Sequence, residues 1–97
     1  MKISLTPQAD RELTEGALFY SREAGAELGH AFISEFERSV QLLQEHPRLG
    51  AKWRGTTRRL PLRRFPYRIV YEARSTEVRV LALAHQSRRP GFWAGRK

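Results

Sequence analysis

Apolar positions in the first half of the chain recur at intervals of three and four. Ala9, Leu13, Ala17, Tyr20 and Ala24 form one such stripe, and the 3.6-residue period places them on one face of an amphipathic helix. Thr6-Pro7 is its start, because a threonine hydroxyl caps free amides and proline suits the first helical position. Gly25 is a natural stop. Leu28, Phe32, Phe36, Val40 and Leu43 make a second stripe, which predicts a helix from about Glu27 to Glu45. Pro47 ends it, since proline disfavours helical backbone in the residue before it. With almost no linker between them, the two helices should form an antiparallel hairpin.

Elsewhere the period is two. Ile3 and Leu5 mark an opening strand over residues 2–5. Three further strands are expected at Arg58–Arg63, Tyr67–Ala73 and Val78–His85. Pro61 argues that the first of these is an edge or an irregular strand. Arg74-Ser75-Thr76 is short enough to join the other two as a hairpin. In the last strand Val78, Val80, Ala82 and Ala84 should share one face, and Arg79, Leu81, Leu83 and His85 the other. Pro47 to Thr56 reads as a loop, with Trp53 packed onto the domain edge. The order β-α-α-β-β-β predicts an α+β fold, a helical hairpin on one face of a mainly antiparallel four-stranded sheet. Residues 1–97 make one domain, of which 87–97 form a basic, aromatic C-terminal tail.

Charge changes the picture more than composition does. The 97 residues carry a formal net charge of +8. Residues 1–47 hold four Lys/Arg against eight acids, a net −4. Residues 48–97 hold fourteen Lys/Arg against Glu72 and Glu77, a net +12. Such a split points to an anionic partner for the second half: nucleic acid, a ribonucleoprotein or an acidic protein segment. Arginine outnumbers lysine fifteen to three, and guanidinium groups offer planar, bidentate recognition of phosphate and carboxylate.

Several chemistries are excluded. There is no cysteine, hence no disulfide framework, thiolate zinc site or cysteine nucleophile. The three histidines lack ligand spacing and no acidic cluster lies in the basic half, so no metal or other cofactor is expected. Phosphate-loop and nucleophile-elbow motifs are absent. MKISLTPQADREL lacks the apolar run of a secretory leader, and no stretch reaches the roughly 18 apolar residues of a membrane span. A cytoplasmic protein without membrane contact is expected.

His85 is the one candidate general acid or base in the basic half. A neutral imidazole could accept a proton from a ribose 2′-hydroxyl, with Arg63 and Arg68 as the phosphate clamp. No strong second proton donor is evident: Tyr67 is the one candidate, and the tail has tryptophan where a tyrosine would serve. The competing reading of His85 is a structural hydrogen-bonder at a strand end. Arg59, Arg63, Arg64, Tyr67, Arg88, Arg89, Phe92 and Trp93 are candidates for binding a target or an inhibitor. Arginines interleaved with aromatics are also the pattern of single-stranded RNA binding. The arginines before and after the last two strands are expected to meet at one end or face of the sheet.

These segments resemble a known family. TPQADRELTEGALFY is similar to the first helix of RelE/ParE toxins, and GHAFISEFERSVQLLQEHPRLG to their second helix with its HP..G ending. LRRFPYRIVYE and VRVLALAHQSRRPGFW resemble the ParE-like branch. The resemblance implies a compact microbial-RNase-like fold. It also implies a plasmid-stabilising toxin of a type II toxin–antitoxin system, neutralised by a cognate antitoxin, ParD-like or similar, through an extended acidic segment. Two activities come with it. RelE-like members cleave messenger RNA on the ribosome, using lysines and arginines on the central strands and a tyrosine near the C-terminus. ParE-like members poison DNA gyrase and are not nucleases. Arg63 and Arg68 fall on the matching arginine positions, and His85 matches a strand-end histidine of another ribosome-dependent branch. The lysines are missing, as Lys52 and Lys97 are the only two in the basic half, and Phe92 and Trp93 stand near the tyrosine position. The expectation is therefore a gyrase-poisoning binding toxin rather than an enzyme. A metal-independent endoribonuclease is the alternative, and a non-toxic basic nucleic-acid-binding module the second alternative.

Overall fold

The computed structural model describes residues 1–97. Its elements are β1 (Lys2–Leu5), α1 (Pro7–Ala24), α2 (Ala26–Glu45), β2 (Ala51–Lys52), β3 (Thr57–Pro61), β4 (Tyr67–Ala73) and β5 (Glu77–His85). Thr6 caps α1 as expected, its hydroxyl accepting the Ala9 amide at 3.0 Å. Gly25 alone joins the helices, at φ 97°, a conformation that side chains with a Cβ rarely adopt. The helices then pack closely. A Cβ at Gly29 would strike the Ser21 side chain and lie 2.8 Å from the Ala17 carbonyl oxygen.

The strands form one sheet in the order β1-β5-β4-β3-β2. β1 runs parallel to β5 and the other pairings are antiparallel. The α+β architecture is the expected one, with one correction: there are five strands, not four. Ala51 and Lys52 pair with Arg59 and Arg58. Two exposed residues carry no alternation, so this strand left no period in the sequence. β3 also ends earlier than predicted, at Pro61. Leu62 turns into the core, and the Arg63 amide donates to the Glu35 carboxylate on α2 at 2.7 Å.

A second correction concerns β5. Tyr71 pairs with Val80 but Val70 with Ala82, so Leu81 is an extra residue opposite β4. This bulge interrupts the alternation. Val78, Val80 and Leu83 face the helices, while Leu81 and Ala82 lie on the opposite face. The predicted sharing of one face by Val78, Val80 and Ala82 does not hold.

The sheet therefore separates two apolar layers. Beneath the helices lie Ala9, Ala17, Phe32, Phe36, Leu43, Leu62, Phe65, Ile69, Tyr71, Val78, Val80 and Leu83. Tyr71 is fully buried there, donating to the Pro47 carbonyl at 2.7 Å and accepting the Gly50 amide at 2.9 Å. That pins the loop after α2. On the other face Val70, Leu81, Ala82 and Trp93 form a small second cluster, with Trp53 and Phe92 against it.

Candidate functional site

The open face of the sheet is built by β3, β4 and β5 together with two segments that fold over it. Thr57 and Arg59 on β3 are in register with Glu72 and Val70 on β4. Arg68 lies two residues before Val70, so the alternation of the strand gives it the same face. Trp53, in the β2–β3 turn, and Trp93, in the tail, meet over this face with ring centroids 4.5 Å apart. Trp93 is buried on Val70, Leu81 and Ala82. Trp53 is half-buried and carries two guanidinium groups, Arg59 at 4.7 Å and Arg68 at 5.0 Å from its ring centroid. Such contacts contribute roughly 0.5–1 kcal/mol each where solvent reaches them. Their larger effect is to hold both guanidiniums in place. Arg68 is fixed further by a 3.2 Å bond to the Gln86 carbonyl.

The tail is tied down by Glu12 on α1. Its carboxylate accepts two bonds from Arg96, at 2.9 and 3.3 Å, and the Leu83 amide at 3.2 Å. Arg96 also donates to the Leu81 carbonyl at 3.0 Å. β1 ends at Leu5, and these side chains satisfy the edge of β5 beyond it. Phe92 is packed between Arg88, at 4.1 Å, and Arg96, at 5.1 Å. Of the two expected arginine groups, Arg68 lies on the open face with Trp53, while Arg88 pairs with Glu12 on α1 at 4.0 Å. Arg68 reaches the chain just after β5, and Arg59 shares its indole.

Acidic side chains pair with only three of the fourteen Lys/Arg in residues 48–97: Arg74, Arg88 and Arg96. The cationic excess is therefore mostly uncompensated on the surface.

His85 takes the other side of the sheet. It is in register with Tyr67, and their rings pack edge to face at 5.4 Å. The Ser87 amide donates to Nδ1 at 3.1 Å, with the Ser87 hydroxyl at 2.8 Å. A ring nitrogen that accepts an amide proton carries none itself, which assigns the neutral ring's hydrogen to Nε2. His85 and Tyr67 line a shallow groove of about 200 Å³ with Glu12, Glu15, Phe19 and Arg88. Burial pushes the Tyr67 phenol above its ordinary value, and the neighbouring Tyr20 adds to this. Tyr67 is thus protonated across the neutral range.

The family can now be named. A model described as the ParE toxin of the type II toxin–antitoxin system parDE matches residues 3–90. The chain belongs to this ParE toxin family. Among solved structures it is similar to a chain of the chromosomal ParDE toxin–antitoxin system from P. aeruginosa. The TM-score is 0.78 and the identity 22%, over 88% of this chain and 95% of that one. At that identity the likeness is one of fold. No curated protein matches the chain. The expected membership of the ParE-like branch is borne out, and a ParE toxin's system implies a cognate antitoxin as partner.

Within this ParE-family fold the three residues expected to act together in RNA cleavage are dispersed. Arg68 faces the open side with Trp53, whereas His85 faces the helix side with Tyr67. Arg63 is exposed in the β3–β4 turn, held by its amide to Glu35. Arg64, in the same turn, has a left-handed backbone at φ 69° and stacks on Phe65 at 5.6 Å. Arg89 is exposed. Three contributors were not singled out from the sequence. The loop position of Trp53 predicts packing on the domain edge, and the residue is the prop for both arginines. Glu12 and Glu35 hold the tail and the β3–β4 turn, but each lies on a helix face that reads as ordinary solvated charge. The Glu35 carboxyl is held below its ordinary value by the Arg38 guanidinium first, then by the Arg63 amide and Ser39, against the opposing effect of burial.

Proposed function

We propose that this ParE-family toxin arrests growth by binding DNA gyrase and poisoning its cleavage of DNA, without cutting nucleic acid itself. The supporting observation is the placement of His85 and Arg68 on opposite faces of the sheet. A ribonuclease needs its phosphate clamp and its proton acceptor around one scissile bond. The toxin would act in the cytoplasm, where its target is, and no helix is long and apolar enough to cross a membrane. The antitoxin would be ParD-like, with an acidic segment drawn to the uncompensated arginines. Arg59, Arg63, Arg64, Tyr67, Arg88, Arg89 and Phe92 remain the residues proposed to meet target or antitoxin, while Trp93, expected among them, is buried on the sheet and supports the others from beneath.

Purified toxin added to a gyrase supercoiling reaction tests this. The expected result is loss of supercoiling and trapped cleavage complexes at micromolar protein. Unchanged supercoiling with no trapped complex contradicts it. A second reading, ribosome-dependent RNA cleavage, draws on one observation: Ser87 orients His85 so that Nε2 stays free beside Tyr67 and Arg88. It predicts codon-position cuts in translated messages that His85→Ala abolishes.

A further inference from the structure

We infer that the open face of the sheet, centred on Arg59 and Arg68, grips the sugar–phosphate backbone of duplex DNA, independently of base sequence. The inference deepens the gyrase reading and rests on it: the toxin would touch the DNA that gyrase holds, as well as the enzyme.

Four features of this face lead there. The two guanidiniums are held in advance by Trp53, at 4.7 and 5.0 Å. Neither has an acidic side chain as partner, so both are available to an incoming anion. They sit on neighbouring antiparallel strands two residues out of register. The backbone positions of such diagonal neighbours lie roughly 7–8 Å apart, so the two side chains start from separate points on the face and need not share one anion. The third feature is the state of the indoles. Trp93 is buried on the sheet, and Trp53 is occupied by Trp93 and the arginines. Arg88 and Arg96 likewise pack on Phe92, so an unpaired base would have to displace arginines to stack on either ring, which works against single-strand recognition. The aromatics act as props for the charges, which suits backbone contact without base readout.

The fourth feature separates this occupant from a protein segment. An amphipathic peptide needs apolar anchor points. Of the large exposed apolar side chains, Leu18 and Phe19 are on α1, across the sheet from Trp53, and Met1 and Leu49 line a depression with Pro47 and Ala73. The depression beside Trp93 has Leu81 and Ala94 in its lining, but Arg54, Thr56, Thr57, Glu72 and Arg96 surround them, and Leu81 is itself buried. Fixed guanidiniums over an apolar layer that is itself already covered fit a uniform polyanion.

The test uses the whole toxin and fluorescein-labelled duplexes of 20 base pairs in two unrelated sequences. Anisotropy gives the affinity. Emission from Trp53 and Trp93, the only tryptophans in the chain, reports on the face itself. The expected result is equal affinity for both sequences and altered tryptophan emission at saturation. Affinity should also fall steeply as salt rises. The double variant Arg59→Gln/Arg68→Gln should bind at least tenfold more weakly, with a log–log salt slope shallower by about two. Arg22→Gln, on α1, should bind as wild type, and circular dichroism checks that each variant is folded. Unchanged affinity in the double variant overturns the inference. So does tighter binding of a single-stranded RNA or of poly-glutamate than of the duplex. The two readings fail separately. Gyrase poisoning that survives in the double variant sinks the DNA contact and leaves the gyrase reading. Duplex binding through the two arginines without any effect on supercoiling does the reverse.

Discussion

The two faces of this sheet differ in what their side chains do. Under the helices, Phe32, Phe65, Tyr20 and Tyr67 interlock with centroids about 5–6 Å apart, edge to face in every pair but the tilted Tyr20–Phe32, and the side chains there hold the fold. On the open face the aromatic groups are fewer, and Trp53 and Phe92 each carry two arginines. One face spends its aromatics on excluding water, the other on aiming charge. The comparison teaches that aromatic content is no guide to role until the neighbours are known.

Substitutions on the two faces should therefore separate stability from toxicity. Phe32→Ala should have the largest effect, about 3–5 kcal/mol, because it empties a fully buried ring from the centre of the core. For a domain this small that is much of the total stability, and a urea melt should find the variant largely unfolded. Gly29→Ala comes next at about 1–3 kcal/mol, since the added Cβ collides with Ser21 and crowds the Ala17 carbonyl oxygen. Its helices must move apart, which thermal melting would register as a drop of several degrees. If either variant melts as wild type, the helix-side core is not what holds the fold.

Glu12→Gln sharpens the boundary between the faces. It weakens a half-buried pair with Arg96 that bridges α1 and the tail. A loss of about 1–2 kcal/mol is expected, with faster exchange of amides 87–97 and altered Trp93 emission. Exchange spread evenly over the chain would show that Glu12 is not a specific tether.

Glu35→Gln has a similar or smaller effect with a distinct pH signature. The folded-state carboxyl titrates below its ordinary value of 4.5, through Arg38 first, then the Arg63 amide and Ser39. Its stabilisation is present above about pH 4.5 and is lost as pH falls through the lowered folded value. The stability gap between wild type and variant should be largest near neutrality and close on acidification. A gap independent of pH would mean that the charge of Glu35 is not what holds the β3–β4 turn.

Much of this was legible in the sequence, where local rules dominate. Both helices, the Thr6 cap, the Gly25 break and the span of β4 follow from periodicity and capping chemistry. The family motifs lie at the C-terminal end of that same pattern. The bulge at Leu81 was not legible, because one extra residue in an apolar strand leaves no mark on composition. β2 was missed because two exposed residues have no period. The site was legible in kind but not in arrangement. The arginines and tail aromatics were evident. That Arg68 and His85 leave opposite faces follows from pairing register, and that Trp53 supports two arginines follows from a turn geometry no local pattern encodes. The bonds of Glu12 span 84 residues to Arg96 and 71 to Leu83, and nothing in either neighbourhood announces them.

The smallest expected effect on stability belongs to the pair on which the functional account depends. Arg59→Gln/Arg68→Gln should cost about 1 kcal/mol, the lower end for two contacts with Trp53, because both groups are half-buried and unpaired with acids. The most direct measurement is the toxin concentration needed to inhibit gyrase supercoiling, for wild type and for this double variant, with melting temperatures recorded alongside. The account predicts a melting temperature lowered by no more than several degrees and at least a tenfold higher inhibitory concentration for the variant. Equal inhibition by the two folded proteins would contradict it.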